Sequence, residues 1–197
     1  EEESGVAFPY SDANLPHATL YGTPPEDRLR NWMRELQNRE EKPTTEQAAF
    51  LESLVRRLVT EAREEQLQTQ KQSTVEPMLD MVHGVPGAGK SRLIAWVREA
   101  FEVQMGWKHG VQFVCLAYQN SMAASIGGLT IHHWTGIPIG EAAGTGASRD
   151  LSKLSTRCQC LRFILIDEVS MLSAELIGQT EHLVSKIVRK KGGYKFR

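Results

Sequence analysis

The run Gly84-Val85-Pro86-Gly87-Ala88-Gly89-Lys90-Ser91 has the spacing Gly-x4-Gly-Lys-Ser. Glycines so spaced let consecutive backbone N–H groups turn inward around phosphate oxygens, and a helix opening at Lys90 adds partial positive charge. There Lys90 is a point charge for the β- and γ-phosphates of ATP, and Ser91 offers a hydroxyl to Mg²⁺. Four fixed positions of this kind arise by chance about once in a hundred chains of this size. The context lowers that figure, because a strand-like stretch precedes the pattern and an amphipathic one follows it. A Gly-rich turn with an unrelated Lys-Ser is the weaker reading, and residues 84–91 are expected to form a nucleotide site.

A second chemical pair follows the apolar run Phe163–Ile166: Asp167 and Glu168. In an open α/β sheet, ligands gather at the carboxyl ends of the strands. Asp167 is then placed to hold the Mg²⁺ shell, and Glu168 to act as a general base on the attacking water. The competing reading, an Asp-Glu pair that ends a strand and caps a helix, loses ground downstream of a phosphate loop. Together the two sets predict ATP hydrolysis.

The elements that must position these groups alternate between strand and helix. "MLDMVHG" (78–84) is a strand candidate, Lys90 to Val103 a helix, and "VQFVCLA" (111–117) a second strand. "SMAASI" (121–126) reads as a small helix and "GIPIGEAAGTGAS" (136–148) as a loop. "LRFILI" (161–166) reads as a buried strand and Ala174 to Lys190 as a closing helix. This alternation predicts an α/β fold around a parallel sheet. Ahead of it, residues 1 to 24 have no sustained period, and 67–77 read as a polar linker. Leu29, Trp32, Met33 and Leu36 share one face of a short amphipathic helix. Leu51, Leu54, Val55, Leu58, Val59 and Ala62 make a longer apolar face. Thr44 and Gln47 have the spacing of a capping box at its start.

Bulk composition sets wider bounds. Lys and Arg total 23 against 24 Asp and Glu, so net charge lends nucleic-acid binding no support and leaves a local basic face open. No apolar run approaches the ~20 residues of a membrane span. The first residues lack the basic start and apolar core of a secretory signal. Three cysteines suggest a reducing, intracellular compartment, and Cys158 and Cys160 read as ordinary thiols. The start at Glu1 predicts a fragment or a processed product.

Four blocks in order, "TEQAAFLESLV" (45–55), the phosphate loop, "LAYQNSMAASIGGLTIHHWTGIP" (116–138) and "ILIDEVSML" (164–172), resemble the superfamily 1 DNA helicases of the petite-integration-frequency type. Those are 5′-to-3′ ATP-driven enzymes with relatives in Helitron transposons. The resemblance covers residues 42–197. It implies a P-loop NTPase of RecA-like fold, with 42–197 as a partial first motor domain whose sheet is incomplete; ahead of it, 1–41 reads as a helical N-terminal extension, an irregular lead-in plus the short amphipathic helix. By the same resemblance Gln47 reads adenine, beside its capping-box alternative. Ala117 and Ile126 match a block that grips single-stranded DNA, where Tyr118, Gln119 and Asn120 replace Pro, Thr and Gly. Tyr118 or Asn120 then contacts a strand or forms a surface turn. Gly128, Thr130, Ile131 and His132 match a further block, and one of His132, His133 and Trp134 is expected to face DNA. On an extended segment the two histidines would point to opposite faces, against a shared metal. The basic tail from Lys186 is a phosphate contact or a solvated helix end.

The family's Gln-Leu-Pro-Pro block and its second motor domain, with an arginine finger worth about 10³ to 10⁵ in rate, do not occur before Arg197. The expected function is thus that of an ATP-dependent DNA helicase, in DNA repair or recombination, of which this chain holds part. Its expected partners are ATP, single-stranded or tailed duplex DNA, and the second motor domain; a nuclear or mitochondrial site follows from the resemblance alone. The alternatives are a non-catalytic remnant of a transposon helicase, a RecD-like ATPase, and an AAA-type machine, the last weighed down by the "TIHHWTGIP" block.

Overall fold

The computed structural model describes residues 22–66, 78–85, 87–139 and 151–190. They fall into two compact units, divided between Trp107 and Lys108. The N-terminal unit is helical. Helix α1 (Pro25–Gln37) begins with proline, whose missing N–H removes one orphan donor, and carries Glu26 and Asp27 in its first turn. It buries Leu29, Trp32, Met33 and Leu36, the face its sequence period predicts. Helix α2 (Thr45–Gln66) packs against it through Leu51, Leu54, Val55, Leu58 and Ala62. Arg63 of α2 pairs with Glu26 of α1, and on α2 itself Arg57 reaches the buried Glu61 at 2.6 Å. Helix α3 (Lys90–Glu99) continues as a π-helical turn, Ala100–Gln104, so the regular helix ends short of Val103. Arg39, just past α1, grips Glu99 of α3 with two bonds of 2.8 and 2.6 Å.

Residues 78–85 form no strand, which corrects the expectation for "MLDMVHG". A strand exists through ladder bonds to a neighbour. Every other regular element described in this unit is a helix, and helices present no ladder edge. Leu79 and Met81 are accordingly exposed.

The other unit carries the sheet. Strand β1 (Phe113–Ala117), helix α4 (Asn120–Ser125), strand β2 (Leu129–Thr130) and helix α5 (Ile131–Thr135) follow in order. Helix α6 (Leu151–Arg157), strand β3 (Phe163–Ile166) and helix α7 (Ala174–Lys190) complete it. The strands are parallel in the order β2-β1-β3, with Leu116 beside Leu129 and Phe113 beside Phe163. All five residues of central β1 are buried. Strand β3 lies at one edge and is half-exposed, unlike the buried strand that its apolar run suggests. Four apolar residues in a row do not distinguish a central strand from an edge. Helix α7, capped where Ser173 Oγ accepts the Leu176 N–H at 3.1 Å, buries Leu176, Leu183, Val184 and Ile187 in a core shared with Val114, Leu116, Ile131 and Trp134. Among the described residues no helix is long and apolar enough to cross a membrane.

The turn from α4 into β2 is tight. A Cβ on Gly128 would stand 2.3 Å from the Cys115 carbonyl oxygen. That oxygen belongs to the backbone of a fully buried strand, so relief requires moving β1 itself. Gly128→Ala is expected to destabilise this unit by about 1–3 kcal/mol, read as a lower midpoint in urea unfolding.

Candidate functional site

The phosphate loop is built by backbone conformation. Gly87 and Gly89 take φ of 84° and 80°, the left-handed region open to glycine at little cost. At Gly84 a Cβ would come within 2.9 Å of the Ala88 Cβ, so the loop also closes on itself there. Gly89 is the N-cap of α3 and supplies no side-chain hydrogen bond. The first-turn N–H groups of α3 are therefore not answered by a capping side chain, the condition under which a helix start receives an anion. Lys90 Nζ donates to the Gly84 carbonyl at 2.9 Å and to that of Val85 at 3.4 Å, folding its charge back over the loop. Ser91 is exposed on the first turn. Pro86 lies outside the described residues.

Gln47 joins this loop. It closes the capping box with Thr44: the Thr44 N–H donates to Gln47 Oε1 at 3.0 Å, and the Gln47 N–H donates to Thr44 Oγ1 at 3.3 Å. Its Nε2 also donates to the Ala88 carbonyl at 3.2 Å. A cavity of about 580 Å³ opens here, lined among others by Gln47, Gly87, Ala88, Gly89, Arg92 and Trp96. Sequence reasoning missed Arg92 and Trp96. The available signal was their i, i+4 spacing on the helix that the loop opens, which sets both on one face.

Asp167 and Glu168 lie in the other unit, directly after β3. The Asp167 N–H donates to the Leu116 carbonyl at 2.9 Å, extending the ladder with β1, and Asp167 Oδ1 accepts the Glu168 N–H at 3.0 Å. Glu168 has φ 48°, the one positive φ at a non-glycine residue among those described. Strain of this kind, about 1–3 kcal/mol, gathers at functional sites. Its side chain is exposed, while Asp167 is half-buried.

The histidine pair differs from expectation. Thr130 ends β2 and caps α5, its Oγ1 accepting the His133 N–H at 3.2 Å, so His132 and His133 ride a single helical turn and no extended segment. Trp134, 1% exposed, belongs to the core. His132 shares a 3.0 Å hydrogen bond with the Ile137 carbonyl through Nδ1, and its ring centroid lies 6.0 Å from that of Tyr118. His133, Tyr118 and Asn120 are exposed. Among the described residues no three His, Cys, Asp or Glu side chains gather as a metal site. The Ser91 hydroxyl and the Asp167 carboxylate are oxygen donors, the type Mg²⁺ takes together with phosphate oxygens and water.

A family model described as an AAA domain matches residues 61–191. The ATP-dependent DNA helicase PIF1 of Saccharomyces cerevisiae (strain YJM789) is 32% identical over 108 residues, which are 53% of this chain and 12% of that protein. The ATP-dependent DNA helicase RRM3 of Saccharomyces cerevisiae is 26% identical over 108 residues, 53% of this chain and 14% of the relative. The chain thus spans only about an eighth of the curated relatives it matches. No solved structure matches it at the same stringency. These similarities bear out the resemblance to helicases and the α/β P-loop fold.

Gln47→Ala removes half of the capping box and the tether to Ala88. The expected result is a loss of about 1 kcal/mol in the stability of the N-terminal unit. Urea unfolding followed at 222 nm measures it, and an unchanged midpoint would show that the box is not stabilising.

Proposed function

Because the chain belongs to the AAA-domain family, we propose that it is the ATP-handling part of a DNA helicase that couples ATP hydrolysis to 5′-to-3′ unwinding. The observation that carries this reading is the phosphate loop. Two left-handed glycines, a helix start without a side-chain cap and the Lys90 ammonium stand together over one backbone turn. The matched relatives, both ATP-dependent DNA helicases by name, support the choice among ATPases.

The N–H groups of Gly87 and Gly89 and of the first α3 turn receive the β- and γ-phosphates. Lys90 moves its ammonium from the Gly84 carbonyl to the γ-phosphate oxygens, exchanging a neutral acceptor for a charged one and so gaining strength. Glu168 holds and orients the attacking water and takes its proton. Ser91 Oγ and the Asp167 carboxylate are the oxygen donors proposed for Mg²⁺. When bound, that ion would supply neutralisation of phosphate charge. Single-stranded or tailed duplex DNA is the proposed nucleic-acid partner, with Tyr118, Asn120 and His133 as exposed groups available to it. A second motor domain completes the proposed engine, and repair or recombination in the nucleus or mitochondrion is its proposed setting.

Two substitutions separate binding from chemistry. Lys90→Ala is expected to weaken ATP binding by about 10- to 100-fold, the worth of a hydrogen bond to a charged group. Glu168→Gln is expected to leave ATP affinity nearly unchanged and to lower phosphate release by about 10²- to 10⁴-fold. Both are read on the full chain with Mg²⁺ and single-stranded DNA, by titration of a fluorescent ATP analogue and by phosphate release. Unaltered affinity in Lys90→Ala would sink the nucleotide-site reading. Unaltered turnover in Glu168→Gln would remove Glu168 as the base.

A further inference from the structure

The match to the AAA-domain model begins at residue 61, and helix α1 lies wholly ahead of it. Its apolar face, Leu29, Trp32, Met33 and Leu36, is buried against α2 and against the π-helical turn that continues α3. Two arginines extend that contact, one near each end of α1. Arg28, in the first turn, donates from Nε to the Gln104 carbonyl at 2.8 Å. Gln104 is the last residue of the π-helical turn, and carbonyls at a helix end have no intrahelical partner of their own. Arg39, two residues past α1, holds both carboxylate oxygens of Glu99, the last residue of α3, at 2.8 and 2.6 Å. Two parallel charge-assisted bonds fix direction as well as distance. The Glu99 side chain is 18% exposed, so water screens this pair less than it screens an open surface pair.

Both arginines therefore act on the C-terminal end of the helix whose N-terminal end carries the phosphate loop. At 1.5 Å per residue, the first and last residues of α3 lie about 14 Å apart. A hydrogen-bonded helix of that length moves as one rod. Where its far end is held thus decides where its first-turn N–H groups point. Direction matters there, because an anion at a helix start is bound by several such groups converging on it.

We propose that Arg28 and Arg39 are positioning residues for the phosphate loop. Through Gln104 and Glu99 they set α3 so that its first-turn donors meet the triphosphate, and α1 is required for full nucleotide affinity. This role rests on the nucleotide-site reading above and adds a determinant of affinity at the opposite end of the helix.

Calorimetric titration of the full chain with ATP and with inorganic tripolyphosphate, each with Mg²⁺, tests it. Arg39→Ala and Glu99→Ala are each expected to weaken both ligands by about 3- to 10-fold. The double substitution is expected to lose no more than either alone, because the two share one interaction. Arg39→Lys keeps the charge and gives up the fork. It is expected to show a smaller loss of the same kind, and it carries the test should the alanine variant not fold. Helical signal at 222 nm, equal to that of the unsubstituted chain, shows that each titrated variant is folded. Unchanged affinity in folded Arg39→Ala would overturn the proposal; with a lower urea midpoint, the pair only stabilises the fold. Additive losses in the double variant would overturn it too, as would a loss for ATP without one for tripolyphosphate. An unsubstituted chain that binds neither ligand would overturn the nucleotide-site reading itself, and this role with it.

Discussion

The start of α3 is the constraint on which the rest depends. A helix leaves its first N–H groups without intrahelical partners, and proteins ordinarily answer them with a side chain. Helices α2, α5 and α7 do so through Thr44, Thr130 and Ser173. Helix α3 begins after a left-handed Gly89 that has no side chain to offer. In the proposed nucleotide site the same donors answer phosphate oxygens.

Such a helix start must be held from outside. Gln47 does this from the N-terminus of α2, where one amide both completes a capping box and grips the Ala88 carbonyl. Farther along, Arg39 clamps Glu99 at the end of α3, and Trp96, Val97, Ala100 and Phe101 bury its inner face. Helix α2, through Gln47, thus helps to hold the loop.

The sheet unit solves a different problem. Its central strand β1 is fully buried, which requires both neighbours to approach closely. On one side Gly128 permits this by having no Cβ. On the other, β3 keeps pairing through Asp167, whose N–H reaches Leu116, and the chain then bends sharply at Glu168 with positive φ. The two carboxylates therefore diverge in setting: Asp167 is still part of the ladder, whereas Glu168 stands exposed on a strained turn. That divergence agrees with different tasks for two adjacent acids.

Short-range pattern was enough for much of this protein. The buried faces of α1 and α2, both bounds of α7 and the glycine-lysine-serine loop all follow from interactions within a few residues, which a sequence displays directly. The capping box was legible for the same reason. Tertiary structure decided what depends on neighbours far along the chain. "MLDMVHG" has a strand's composition, but pairing is a property of two segments, and its unit describes only helices beside it. "LRFILI" is a strand at an edge, since burial is set by what covers a residue. His132 and His133 joined a helix because the hydroxyl of Thr130 capped one, and Trp134 went into the core with it. The second bond of Gln47, to a carbonyl 41 residues along the chain, arises only when helices are packed, because no local rule places a side chain against a distant backbone.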